Sequence, residues 1–526
     1  MEPTKRQHWI RLAGFALVLA LVSLLATWIG LSGSWVADDW HMVDNYLYAD
    51  WAELGAVFKR NAAYYLFTDD KVGPYRPVTM LTLLATHLLA PAAWLHHAVS
   101  WVLHALTAFM LFVVLRQQLS RDDDASTRLV DAVSALFAGL FFLHPVHVES
   151  YVWINGRSDL LGGFWLVALA FLLNREGNGS SRRIGSELVI GLVAFLGASS
   201  KLPFAIAAAA VWLAWAVRDR SPVRGIYGAI IAFGVGAHVV LRLVFAPFRG
   251  QLGTSDDILL DTGVWLALPR LSAQAIASLM ALRAEAMQSL SWVLFGPWSF
   301  YDWVGLIVIA FALFGLVRRR DWPGLIYSIG AFLTLAPVAV VSRSFWMGFD
   351  RYIYMPSILL FLAVVPYVLH GFVRGTRGHT LTIAALWLSL LVVAAIQTHH
   401  ASKAYASQDT YDVALLRDHP DDPTTHYYLA RAADRAGDME GLKERLSAMP
   451  PPPWPRPIIV PTYELAAKVS DIPRAHQAID ALVASQNDGV PCAKVQHQLE
   501  IWRGRAPDEA TTDALTATLA GLSCEP

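Results

Sequence analysis

Apolar residues run in blocks of bilayer-spanning length through the first 400 positions, separated by short polar links, before a polar, Ala-rich helical pattern takes over. A hydrocarbon layer about 30 Å thick needs roughly 20 helical residues at about 1.5 Å each. By that measure the chain is predicted to be all-α and polytopic, with about 11 transmembrane helices. They fall at 9–31, 97–115, 129–143, 158–173, 187–199, 202–217, 225–245, 302–317, 323–341, 352–372 and 379–398. The first is expected to be a retained helix, because its apolar stretch is too long for a signal-peptide core and no A-x-A site closes it. Residues 271–296 are apolar but carry Arg283 and Glu285 in mid-length, which predicts an interfacial or re-entrant helix instead of a span.

Charge orients these spans. Lys5, Arg6 and Arg11 flank the first helix, and clusters at Arg116/Arg121/Arg128, Arg175/Arg182/Arg183, Arg218/Arg220/Arg224, Arg318/Arg319/Arg320 and Arg374/Arg377 fall on alternate links. The positive-inside rule makes all of them cytoplasmic, with the N-terminus inside. The other face then holds the loop 32–96, the turn 144–157, the link at Lys201, the stretch 246–301, the link 342–351 and everything after about 399. Two domains are expected: a membrane domain over 1–398 and a helical domain over 399–526. In the second, 426–446 and 463–482 each read as helix, tight turn, helix, offset near the ~34-residue period of a tetratricopeptide (TPR-like) repeat. The Pro-rich stretch 449–457 separates them. Both cysteines of the chain, Cys492 and Cys524, lie in this tail, and a disulfide between them is one of two open readings if the tail meets an oxidising compartment.

Composition agrees. The 526 residues are 55% hydrophobic and only 16% charged, with mean hydropathy +0.43, where a soluble domain would carry about 25% charge. A net charge of −1 offers nothing to nucleic acid, so no such partner is expected.

The unusual polar residues lie on the face away from the cytosol. Asp38 and Asp39 follow the first span; consecutive side chains diverge, so one carboxylate can meet a substrate as general base or metal ligand while the other caps a helix. His144, His147 and Glu149 stand close together, followed by Arg157 and Asp159, but Pro145 and the spacing do not make a standard zinc set; a pocket-shaping turn is the alternative. Arg76, Lys201 and Arg351, the last followed by Tyr352 and Tyr354, sit at outer span ends where cations either snorkel or bind a phosphate. His97 and His104 share a helical face and are expected to be buried hydrogen-bonding groups. No P-loop, GxGxxG or G-x-S-x-G element stands in a supporting context.

A long first outer loop opening on an acidic pair resembles the GT-C superfamily of polytopic glycosyltransferases. More specifically, YRPVTMLTL (75–83), HPVHVESYVWINGRSDLL (144–161), SSK (199–201) and RYIYMPS (351–357), with a repeat-like tail, resemble the transmembrane and tetratricopeptide-repeat protein O-mannosyltransferases and their bacterial relatives. The resemblance implies a GT-C fold and transfer of a sugar, mannose among the candidates, from a polyprenyl-phosphate donor to a protein. It makes Asp38, or else Asp39, the catalytic base. It also makes Arg76, Arg157, Lys201 and Arg351 donor-phosphate ligands, with His144, His147, Glu149, Asp159, Tyr352 and Tyr354 shaping the pocket. One carboxylate suffices for inverting displacement, so no metal cofactor is required, although a divalent cation at the acidic pair is compatible with some GT-C enzymes. The expected setting is a bacterial inner membrane, surrounded by membrane lipids, with the active site and C-terminal domain periplasmic and that domain docking the acceptor. Two other readings stay open: transfer to a lipid or cell-envelope glycan, and a transporter or flippase of lipid-linked sugars, which should show paired broken helices in two halves.

Overall fold

The computed structural model describes residues 3–36, 39, 51, 57–58, 75–120, 126–176, 184–219, 224–245, 262–281, 298–341, 349–374, 377–452, 454, 456–484, 492–504, 506 and 508–521. Among the described residues every regular element is helical and there is no strand. In chain order the first are α1 (Pro3–Leu31), α2 (Pro77–Leu89), α3 (Ala93–Leu119), α4 (Thr127–Phe142), α5 (Val148–Val152), α6 (Arg157–Glu176), α7 (Ile184–Ser200), α8 (Phe204–Asp219) and α9 (Arg224–Phe245). Then come α10 (Thr262–Ala281), α11 (Phe300–Arg319), α12 (Trp322–Leu333), α13 (Ala336–Val341), α14 (Tyr354–Arg374), α15 (Arg377–Lys403) and α16 (Gln408–Asp418).

Six of the described helices are long and apolar enough to cross a bilayer, or up to seven if the bent pair of α4 with Pro145–Val152 is one span. They expose what a water-soluble fold would bury: Phe233 is 78% accessible, Phe311 74% and Leu25 72%. Apolar exposure on this scale marks surface that faces lipid, and the chain is an integral membrane protein. The polar groups are turned inward instead, among them His104, Arg157, Asp159 and Lys201.

The loop expected at 32–96 contains α2, an apolar helix of 13 residues. At about 1.5 Å per residue it reaches only about 20 Å, too short to span, which is why a search for bilayer-length runs passes over it. The segment from 271 lies partly in α10, a 20-residue helix with Pro269 inside it; 282–297 lies outside the described residues. Leu271 and Ala275 of α10 pack with Val146, Val338, Phe349 and Ile353, so this helix braces the polar turns.

Local chemistry sets the connections. Arg320, in the left-handed region at φ 57°, ends α11, and Asp321 caps α12 by accepting from the Gly324 amide at 3.0 Å. Arg318 and Arg319 occupy the last turn of α11, where cations suit the helix dipole. Helix α6 lies deepest, and its Gly163 lets α14 approach: a Cβ there would stand 2.4 Å from the Tyr354 ring.

Beyond α16 the helices pair into three hairpins: α17 (Pro423–Ala436) with α18 (Met439–Ala448), α19 (Arg456–Lys468) with α20 (Ile472–Ala484), and α21 (Cys492–Arg503) with α22 (Glu509–Gly521). Gly437 at φ 73° closes α17, and Asp438 then caps α18. The hairpins have their own core, centred on Tyr463 stacked on Trp502 at 4.0 Å. In contrast, Tyr411, Ala414 and Leu415 of α16 belong to the core of the spanning helices. Cys492 is disulfide-bonded, while Cys524 lies outside the described residues.

Candidate active site

Four helix ends and links supply the site: the residues before α2, the first turn of α6, the link between α7 and α8, and the 3-10 turn Asp350–Ile353 before α14. They bring together Arg76, Asp159, Lys201, Arg351 and Tyr352, which span more than half of the chain, and Glu149 of α5 stands beside them. Lys201 Nζ donates to Asp159 in an ion pair buried on both sides. Arg76 Nη1 donates to Ser158 Oγ at 3.2 Å, and Ser158 in turn donates to Asp159 Oδ2 at 3.4 Å. Arg351 donates from its backbone amide to Glu149 Oε2 at 3.3 Å and from Nη2 to the Tyr352 hydroxyl at 3.1 Å.

Aromatic rings hold the cations in place. Lys201 lies 4.4 Å and the Arg351 guanidinium 4.9 Å from the centre of the Tyr352 ring, and Arg351 is 4.3 Å from that of Trp153. Around Lys201 stand the Asp159 carboxylate and two like charges, Arg76 and Arg351, with Glu149 also within electrostatic reach. In the link outside the spanning helices, burial pushes the Lys201 ammonium down to about 7 against the pull of Asp159. The N-termini of α2 and α6 add a field that favours an anion.

Arg157 faces elsewhere. It is fully buried, and its Nε donates to Ser100 Oγ, Nη1 to Thr82 O and Thr86 Oγ1, and Nη2 to His96 O at 2.7 Å. It ties α6 to α2 and α3, with its donors engaged by protein groups in place of the cation cluster. Tyr354 also turns away. Its hydroxyl donates to His104 Nδ1 at 2.8 Å, because His104 Nε2 must carry the proton given to Phe142 O at 3.1 Å.

The two histidines of the turn are engaged in the same way. His144 Nδ1 accepts from the Val146 amide and its Nε2 donates to Leu279 O at 2.8 Å. His147 Nδ1 donates to Phe141 O at 2.8 Å, and its Nε2 meets Ser357 Oγ at 3.0 Å. Both rings are thus tied to protein groups, and among the described residues no three His, Cys, Asp or Glu side chains converge as a metal set. Asp39 is buried and accepts from the Val36 amide at 3.4 Å and the Asn155 amide at 3.3 Å, which fastens the start of the first loop to the turn before α6. Asp38 lies outside the described residues. Ser158 and Trp153 join the site without having been singled out from sequence. The clue to Ser158 was its place between Arg157 and Asp159 at a helix start, whereas nothing in the residues around Trp153 foretold its ring beneath Arg351.

No family model matches the chain. Over 172 residues, 30% of this chain and 18% of the relative, it is 32% identical to "Protein O-mannosyl-transferase TMTC1" of Homo sapiens. Over 111 residues, 21% of this chain and 11% of the relative, it is 30% identical to "Protein O-mannosyl-transferase TMTC3" of Mus musculus. The matched stretches thus span less than a fifth of either relative's length.

Proposed function

We propose that this protein is a GT-C type membrane glycosyltransferase that moves a sugar, with mannose the first candidate, from a polyprenyl-phosphate donor to a protein on the non-cytoplasmic face of a bacterial inner membrane. The observation that carries the reading is the gathering of Arg76, Lys201 and Arg351 around Tyr352 and Asp159. Such a cluster fits a phosphate better than snorkelling, which needs no convergence and leaves the charge in water. An apolar cavity of about 600 Å³ between α10, α11, α12 and α14, lined by Leu279, Met280, Phe311 and Phe361 among others, adds support. It reaches the residue whose carbonyl accepts from His144, so a prenyl chain lying there would bring its phosphate toward the polar turns.

In this reading Asp38 takes the proton of the acceptor hydroxyl as the oxygen attacks the anomeric carbon. The bond from that carbon to the phosphate oxygen breaks, and its electron pair leaves on the polyprenyl phosphate, stabilised by the three cations. Attack opposite the leaving group inverts the anomeric centre. Asp39 holds the loop in place for Asp38. The eleven-span topology with the N-terminus inside, and a TPR-like tail on the same side as the site, belong to the same proposal.

The test is the purified protein assayed against a panel of polyprenyl-phosphate sugars, with products read by mass spectrometry. One donor is expected to turn over, with chelator leaving the rate unchanged. Asp38→Asn should abolish turnover while membrane insertion persists. Removing one charge-assisted contact, as in Arg76→Gln or Arg351→Gln, should raise the donor KM about 10- to 100-fold. Near-normal transfer by both Asp38→Asn and Asp39→Asn would overturn the reading.

A further inference from the structure

We propose that the cavity between the site turn, α15 and α16 receives the acceptor as an extended, hydroxyl-bearing polypeptide, held in part by the free carboxylate oxygen of Glu149. This rests on the transferase reading and names the acceptor path of the same site. The cavity has a volume of about 700 Å³, inside the roughly 300–1,000 Å³ range of ligand pockets. Its lining includes Glu149 and Asp350 from the site, His400 and Lys403 from α15, and Val413 and Arg417 from α16.

Glu149 points to a ligand independently of the cavity. Glu149 is 2% exposed; Oε2 accepts from Arg351, and among the described residues Oε1 has no hydrogen-bond partner. A buried carboxylate oxygen without a donor is costly, and an incoming backbone amide or hydroxyl would supply one. Glu149 also stands on the boundary between cavity and cation cluster, since Arg351 gives it its amide and sends its guanidinium over Tyr352 and Trp153. A donor phosphate on the cation side and an acceptor on the cavity side would therefore meet across one side chain.

The walls favour a polypeptide over a lipid. Most of the lining residues are polar or charged, of both signs, with Arg417 paired to Asp418 through two hydrogen bonds, where a lipid acceptor would need an apolar lining throughout. One wall is α16, which leads after a few residues into the first tail hairpin, so a chain leaving the cavity would meet the hairpins.

The experiment uses the full-length protein, the donor identified in the panel, and two random-sequence peptide pools, one with a fixed threonine and one with alanine in its place. Transfer to peptide and transfer to water are measured together. The wild type should glycosylate only the threonine pool. Val413→Trp, at a position 69% exposed, and His400→Trp, also exposed, should shift the transfer-to-hydrolysis ratio at least tenfold toward hydrolysis. Residual hydrolysis shows that each variant has folded. Glu149→Gln should raise the KM for the threonine pool at least tenfold. Wild-type ratios in both tryptophan variants would overturn the acceptor path. So would a wild type that hydrolyses the donor but glycosylates an envelope glycan or lipid and no threonine peptide. A wild type that turns over no donor at all would overturn the transferase reading itself.

Discussion

At the scale of single residues, the site separates groups that look alike in sequence. Four cations were equivalent candidates for a phosphate, yet Arg157 spends its donors on Ser100, Thr82, Thr86 and His96, while Arg76, Lys201 and Arg351 converge. Spacing along a chain says where a cation starts but not which way its side chain turns, so this division could not be read beforehand. It predicts opposite phenotypes. Arg157→Met should lower stability by about 3 kcal/mol, because buried acceptors lose a charged donor, and thermal unfolding in detergent measures this. Its donor KM should stay within about threefold of the wild type, as expected of a group that does not touch the donor. Lys201 behaves differently. With its ammonium pushed down to about 7, the charged form prevails below that pH and is lost above it. kcat/KM for the donor should therefore fall through an apparent pKa near 7 in the wild type. Lys201→Arg, which stays charged, should flatten that alkaline limb.

At the scale of elements, close helix contacts carry the geometry. The turn 350–353 reaches the cations because α14 lies against the glycines of α6; a side chain at Gly163 would collide with Tyr354. Gly163→Val should displace Tyr352 along with its helix and cost about 100-fold in kcat/KM, as misplacement of roughly 1 Å commonly does. The long apolar helices were legible in sequence because bilayer length is a strong, one-dimensional signal. Helix α2 was not, since 13 residues fall below that length, and its role in setting Arg76 depends on packing against α7, where Thr79 donates to Ser200 O at 3.0 Å. The first tail hairpin was visible as a polar helical pattern broken at Gly437 and Asp438, whereas the third pair, α21 and α22, was not read from the sequence although Gly504 and Asp508 stand in its link.

At the scale of the molecule, α16 shares the core of the spanning helices, because Tyr411, Ala414 and Leu415 pack among them. Composition marked the end of the apolar runs, but a polar helix can still bury one face in a membrane domain, and only contacts reveal that. A single reaction centre requires the first loop, the site-forming segments and the tail to share one side of the bilayer. Single cysteines at positions 38, 351 and 443, in a background lacking Cys492 and Cys524, can be labelled with a membrane-impermeant thiol reagent, beside a control at position 319. Labelling of 38, 351 and 443 in intact cells, with 319 reacting only after permeabilisation, is the predicted result. Residues 38 and 351 reacting from opposite faces would contradict it, since the loop carboxylate and the cation cluster could not then serve one reaction.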